Sequence, residues 1–352
     1  MKFRTLGAVL ALLVLVFLGP CVLGASAGEG FFGDFDPNKK VVVPGHPPLL
    51  SEPLKICKGV TLQVGGYIHA RVDSGRGPES FRAGANAWRP RILIEFDETL
   101  EFVDQIFAEL ELVNFTDKDV NEVRKFYFVK FLGDWELHFG RYFTSPSNLP
   151  PRWLLASMQF PRSFWGNHAT GWQFIRKSDD GTTVSIDLSG NPDVAYDAKD
   201  AWKFATFGFR IERELGDLTD NEKVVIGISG QFSEEFSRLA YNFEWDNPDL
   251  PTPINVTAQF GVADELGEDL KRCGSVMARF QHTNKFATHT VADYMKNGGL
   301  DLLAGATLLV NDRVRLRAEA GANFFCDDSG PVVKGQVAYV FGKPKERRRK
   351  KF

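Results

Sequence analysis

Past its first residues, the chain has no apolar run long enough to cross a bilayer as a helix, since that needs about 20 consecutive apolar residues. Cysteine is also scarce, with four in 352 residues. Cys21 falls in a leader, and Cys57, Cys273 and Cys326 are an odd number for an oxidising compartment, spaced like no metal motif. One disulfide or none is expected, with no metal and no cofactor. Catalytic groupings are missing too. His46, His69, His138, His168, His282 and His289 never fall into a helical HExxH spacing, and Gly227-Ile228-Ser229-Gly230 is one residue short of a nucleophile elbow and sits in a strand pattern. Glu109 and Glu111 share a strand face, which reads as a wetted wall rather than an acid–base pair. An enzyme is not expected. Excess positive charge is absent from the body of the chain. With Lys2, Arg4 and the last ten residues set aside, Gly28–Gly342 carries 33 basic and 44 acidic side chains, net −11. Nucleic acid is therefore not an expected partner.

What the chain does have begins with a secretory leader. Lys2 and Arg4 precede an uncharged apolar run from Leu6 to Leu18, and Ala25-Ser26-Ala27 supplies small residues for cleavage. A retained anchor would need a longer run, and lipid attachment at Cys21 is disfavoured by Pro20 directly before it. The expected organisation is a signal peptide over 1–27, a Pro-rich segment over 28–54, a β-domain over 55–342 and a basic tail over 343–352. Aromatics are abundant, with 31 Phe, 7 Trp and 7 Tyr, and such residues favour strands.

From Val60 the apolar residues recur every second position. Val60, Leu62, Val64, Ile68, Ala70 and Val72 alternate with Thr61, Gln63, Tyr67, His69, Arg71 and Asp73. Trp88, Pro90, Ile92, Ile94 and Phe96 alternate with Arg89, Arg91, Glu95 and Asp97, and Phe102, Ile106, Ala108, Leu110 and Leu112 with Gln105, Glu109 and Glu111. Similar segments follow at Trp135/Leu137/Phe139, Val184/Ile186/Leu188, Phe207/Phe209/Ile211, Leu239/Tyr241/Phe243/Trp245, Val256/Ala258/Phe260, Val276/Ala278/Phe280, Val314–Phe324 and Val333–Phe341. A helix with this spacing would scatter charge and grease around its circumference. About 16 strands (14–18) are expected, with residues 215–300 the hardest to read. Long and short connections alternate along the first half, as the two rims of an up-and-down barrel require. The pattern blurs after Asp217, where DNPDLPTP falls on the short side. A soluble sandwich also alternates faces, with its greasy side inward. The leader, the loop alternation and the terminal aromatic strand favour an all-β, transmembrane, antiparallel up-and-down barrel in the outer membrane, bathed in its lipid.

The third long connection is the most apolar. TSPSNLPPRWLLASMQFPRSFWGNHA carries Trp153, Leu154, Leu155, Met158, Phe160, Phe164 and Trp165 beside Arg152 and Arg162. Such a patch needs burial. Either it folds into the barrel and sets Arg152 and Arg162 at a constriction, or it packs on the outer rim or against another subunit. Arg71, Arg89, Arg91, Arg141 and Arg176 are read as lumen cations. They either favour anions or are neutralised by carboxylates such as Glu95, Asp97 and Glu109. The tail KPKERRRKKF is either a tether for an anionic periplasmic partner or a solvated end.

Several stretches resemble the phosphate-selective porin O and P family of outer-membrane channels. They are LQVGGYIHARVD followed by WRPRILIEFDETL, then VRKFYFVKFLGDWELHFGRYFTSPSN, then FPRSFWGNHATGWQFI, and finally GQVAYVF. The resemblance runs from about Leu62 to Phe341 and implies a 16-stranded channel, often a homotrimer, with a constricted lumen passing small solutes or ions. The rival reading is a docking barrel with a plugged lumen. Two departures stand out. The family's phosphate channels have lumens rich in Arg and Lys, whereas this body is acidic. The chain also runs past its last strand, which makes Phe341, rather than Phe352, the terminal aromatic that serves as the assembly signal.

Overall fold

A computed structural model describes residues 53–73, 82–96, 102–112, 121–144, 168–190, 206–215, 222–265, 270–296, 299–310, 314–324 and 330–341. The strands are β1 (Leu54–Cys57), β2 (Val60–Asp73), β3 (Arg82–Phe96), β4 (Gln105–Leu112), β5 (Asn121–Leu132), β6 (Trp135–Phe143), β7 (His168–Lys177), β8 (Thr182–Ser189) and β9 (Thr206–Glu214). They continue as β10 (Lys223–Phe232), β11 (Phe236–Asn247), β12 (Ile254–Glu265), β13 (Lys271–Gln281), β14 (Phe286–Met295), β15 (Gly299–Leu309), β16 (Val314–Phe324) and β17 (Gly330–Phe341).

From β2 onward each strand pairs antiparallel with the next, and β17 returns to β2 with Phe341 opposite Gly66 and Lys334 opposite Asp73. The sixteen strands β2–β17 therefore form a closed ring. β17 stops at Gly66 and leaves the start of β2 without a partner on that edge. There β1 takes over, with Leu54 opposite Leu62 and Cys57 opposite Val60. The hairpin between them turns at Gly59, whose φ of 76° suits glycine.

Followed strand to strand, the register comes back to β2 displaced by about 20 residues along the chain, the stagger that a tilted barrel requires. Sixteen strands spaced about 4.8 Å apart and tilted about 40° enclose a backbone cylinder of about 16 Å radius. That is wide enough for an aqueous lumen.

The two faces settle whether this sheet is a sandwich. Its outward side chains are apolar and bare: Ile92, Leu188, Ile226, Phe260 and Val333 are 37–55% exposed. Its inward side chains are polar and covered, Glu109, Asp187, Gln259, His289 and Asp293 all at 2% or less. A water-soluble sheet has the reverse arrangement. Only hydrocarbon outside accounts for it, so the molecule is a transmembrane barrel.

The ring runs from Val60 to Phe341, and both its ends lie at one rim. DNPDLPTP spans the end of β11 and the connection to β12 at that rim, with no strand missing from the reading there. The loop alternation fails because the opposite rim becomes equally tight. Only residues 233–235 join β10 to β11, and only 296–298 join β14 to β15.

At the terminal rim, Asp104 braces two hairpins. Its carboxylate accepts from the Phe131 N–H at 2.6 Å and from Lys130 Nζ at 2.9 Å. The Phe131 bond first, and Lys130 after it, hold this carboxyl below its ordinary value of 3.8. A depressed folded pKa adds stability that is full above the unfolded value and disappears as pH falls through the folded one. Asp104→Asn should therefore unfold more readily than wild type in urea at pH 7, and the gap should close on acidification below about pH 4. On the lipid face, Ile226→Arg should cost about 2–4 kcal/mol in reversible folding into vesicles.

Candidate conduction path

Because side chains alternate, each rung of the register contributes one row of lumen residues. On the wall made by β13–β17 these rows form bands. Nearest the rim opposite the chain ends lie Ser275, Asp293, Asp301 and Asn323. Asp293 and Asp301 face each other directly, and Asn323 Nδ2 donates to Asp301. One step deeper come Met277, Val291, Leu303 and Val332, an apolar band only 1–8% exposed. Deeper again are Arg279, His289, Glu319 and Lys334. Each step is about 7 Å along a strand. Arg317 and then Arg315 extend the basic zone towards the terminal rim.

Glycine shapes the third band. His289 and Glu319 sit on β14 and β16, with Gly305 between them on β15. A Cβ on Gly305 would lie 2.5 Å from His289 Nε2 and 2.6 Å from Glu319 Cγ. Without one, the two side chains meet over the intervening strand, Nε2 to Oε1 at 3.0 Å.

The opposite wall is neutralised in pairs. Arg91 Nε donates to Glu109 Oε2, both side chains being buried. Glu95 accepts from Thr61 at 3.3 Å, Gln63 at 2.9 Å and Gln105 at 3.1 Å. Beside them Phe107, Tyr127 and His138 stack at 5.2 and 4.5 Å. His138 Nδ1 lies 3.2 Å from Gln173 Oε1, and Gln173 Nε2 donates to the Phe143 carbonyl at 2.9 Å. Lys125 Nζ stands 3.9 Å over the Phe143 ring. Thr144 next to it is buried at 2%. At the last described residues before the third connection, Gln173 thus holds the Phe143 backbone and Lys125 its ring, both from the lumen parity.

The residues singled out in the sequence fare differently. Arg91 lies in the lumen and is paired. Arg71 and Arg89 occupy register positions of the same parity, opposite Gln336 and Tyr67. Arg152 and Arg162 lie outside the described residues. Arg176 is corrected: it shares its face with Trp172 and Phe174, lies at the terminal rim, and pairs with exposed Asp134 at 3.3 Å. Arg141 is buried, 6% exposed, opposite Phe126 and Thr170 and one residue past Gly140, whose φ is 130°. Missed altogether were Arg210, Arg238, Arg279, Arg315, Arg317 and Lys334. The same parity rule finds them: Arg315, Arg317 and Glu319 alternate with Leu316 and Ala318.

Along each of these tilted strands the carboxylates lie nearest the far rim and the basic zone nearer the terminal rim, with an apolar rung between. Among the described residues no group of His, Cys, Asp or Glu is arranged to hold a metal. Removing one member of the buried Arg91–Glu109 pair takes an opposite charge away from the other in a desolvated setting. Glu109→Ala should therefore lower folding stability by about 3–5 kcal/mol, and the double change Arg91→Met with Glu109→Leu by far less. Unfolding of the purified barrels in denaturant measures both.

No protein-family model matches the chain, and comparison with curated proteins finds no match. Solved structures do share the fold. An anion-selective porin from Comamonas acidovorans superposes with a TM-score of 0.61 at 10% identity, covering 80% of this chain and all of the porin. The outer membrane channel DcaP of Acinetobacter baumannii gives 0.57 at 11% identity, with 82% and 99% covered. A loop-deleted OmpT, an outer membrane protein of Vibrio cholerae, gives 0.60 at 12% identity, with 80% and 100% covered.

Proposed function

We propose that this barrel resides in the outer membrane as a channel for the passive passage of small solutes, anions above all, after its leader is removed. The observation that carries the reading is the inverted barrel itself: sixteen closed strands, apolar outside, with a charged and polar inner wall. A ring of that size leaves an aqueous path. Rows of arginine along a pore favour anions, and Arg279, Arg315, Arg317 and Lys334 form such a zone on one wall. The net −11 of the body bears less on selectivity, because charges outside the path are screened within about 8 Å. Placement in the phosphate-selective branch rests on the sequence motifs alone, and so does a homotrimeric state. Phe341, where the ring closes, acts as the assembly signal, and the basic tail after it faces the periplasm, where an anionic partner is its natural contact.

In this reading the third connection folds inward and sets Arg152 and Arg162 at the narrowest point. Two features support it. The anchoring of Phe143 by Gln173 and Lys125 starts the segment towards the lumen. The apolar band Met277, Val291, Leu303 and Val332 on the far wall matches the Trp, Leu and Phe of residues 153–165.

Planar-bilayer recording tests the proposal. Wild type should conduct and show an anion-selective reversal potential in a salt gradient. Arg152→Glu with Arg162→Glu should move that potential towards cations, and deleting Leu154–Phe164 should raise single-channel conductance. A barrel that folds but conducts nothing would instead be a plugged docking barrel.

A further inference from the structure

The outer surface carries a second feature, independent of conduction. Between β12 and β15, near the rim opposite the chain ends, a groove of about 360 Å³ opens towards the lipid. Gly274 forms its floor, Phe260 and Tyr294 rise on its two sides, and Val276 and Ala292 line its deeper end. Arg272 stands at its mouth. The groove exists because β13 has a glycine at this rung. A Cβ on Gly274 would lie 3.0 Å from the Phe260 ring, so any larger side chain would fill the gap.

The position of this groove along its strands sets its depth in the membrane. Gly274 lies three residues from the start of β13 and Tyr294 one residue from the end of β14, so the groove sits near the far ends of its strands, where the lipid face of a barrel meets the headgroups. Arg272 lies two residues nearer that rim than Gly274, about 7 Å along the tilted strand. It shares the outward parity of Gly274 and Val276 and is exposed. Among the described residues its guanidinium has no hydrogen bond, ion pair or ring contact. Lys296 is held beside it: the Lys296 N–H donates to the Arg272 carbonyl at 2.9 Å, and its ammonium to the Leu270 carbonyl at 3.3 Å.

We propose that this groove binds a phosphate-bearing anionic lipid of the outer leaflet, with one acyl chain lying between Phe260 and Tyr294 and the phosphate on Arg272. Apolar sides take the chain. An unpartnered guanidinium at headgroup level, beside a second cation, takes the anion, and its planar fork suits phosphate oxygens. The rim assigns the leaflet, since both ends of the ring lie at the other one.

The test is native mass spectrometry of the full-length processed barrel in detergent, titrated with diphosphoryl lipid A or with phosphatidylcholine as the zwitterionic control. Heat-modifiable gel mobility verifies folding of every variant. Wild type should retain the lipid A adduct at least threefold better than phosphatidylcholine. Arg272→Gln should lose most of that preference, Arg272→Lys should keep part of it, and Gly274→Leu, which fills the groove, should lose it. Leu188→Gln, on a distant part of the lipid face, should change nothing. The proposal is overturned if Arg272→Gln retains lipid A like wild type, or if Leu188→Gln loses it equally. It is also overturned if the groove holds a second copy of this chain, seen as an oligomer that Gly274→Leu dissociates. Should Gly274→Leu not fold, the two Arg272 variants decide alone.

Discussion

Hydrocarbon offers no hydrogen bonds, and the whole architecture answers that fact. Every peptide N–H and C=O at membrane depth must find a partner within the protein. A sheet can meet this demand only by closing, so β17 has to find β2. The stagger that closure requires leaves the start of β2 short of a neighbour, and β1 occupies that length of edge. The seam is thus assembled from three strands, two from the beginning of the ring's sequence and one from its end.

Closure also turns the usual economy of a fold inside out. Among the described residues the buried apolar clusters are small; ladder hydrogen bonds and paired polar side chains on the inner wall link the strands. Arg91 with Glu109, and His289 with Glu319 above Gly305, are links between strands as much as linings of a path. The acidic, apolar and basic rungs of β13–β17 separate charge of opposite sign along the strands. A net charge for the whole chain therefore says little about the local charge on the inner wall.

The barrel was legible wherever one face was wet and the other greasy. Val60–Asp73, Trp135–Phe139 and Val314–Phe324 show the period of two without ambiguity. β14 and β15 were opaque for a physical reason. Their inward residues include Val291, Leu303 and Leu309, and their outward ones Thr288, Thr290 and Ala304, so grease and polarity no longer separate by parity. Loop length misled for a similar reason, since the two rims differ only over the first half of the ring. The lumen cations of the second half were readable in principle from Arg315-Leu316-Arg317. Pairing was not, because Arg91 and Glu109 become neighbours only through the register between β3 and β4.

The unequal rim shapes the approach to the mouth. From β2 to β9 the connections at the far rim include residues 145–167 and 190–205; from β10 onward they shrink to a few residues each. On the β10–β17 side the strands of that rim are therefore joined almost directly. The inner wall next to those short connections bears Asp293 and Asp301. In a channel of the kind proposed, cations gathered on that pair would offset its repulsion of anions, so entry would depend on the salt and divalent ions outside as well as on the lumen within.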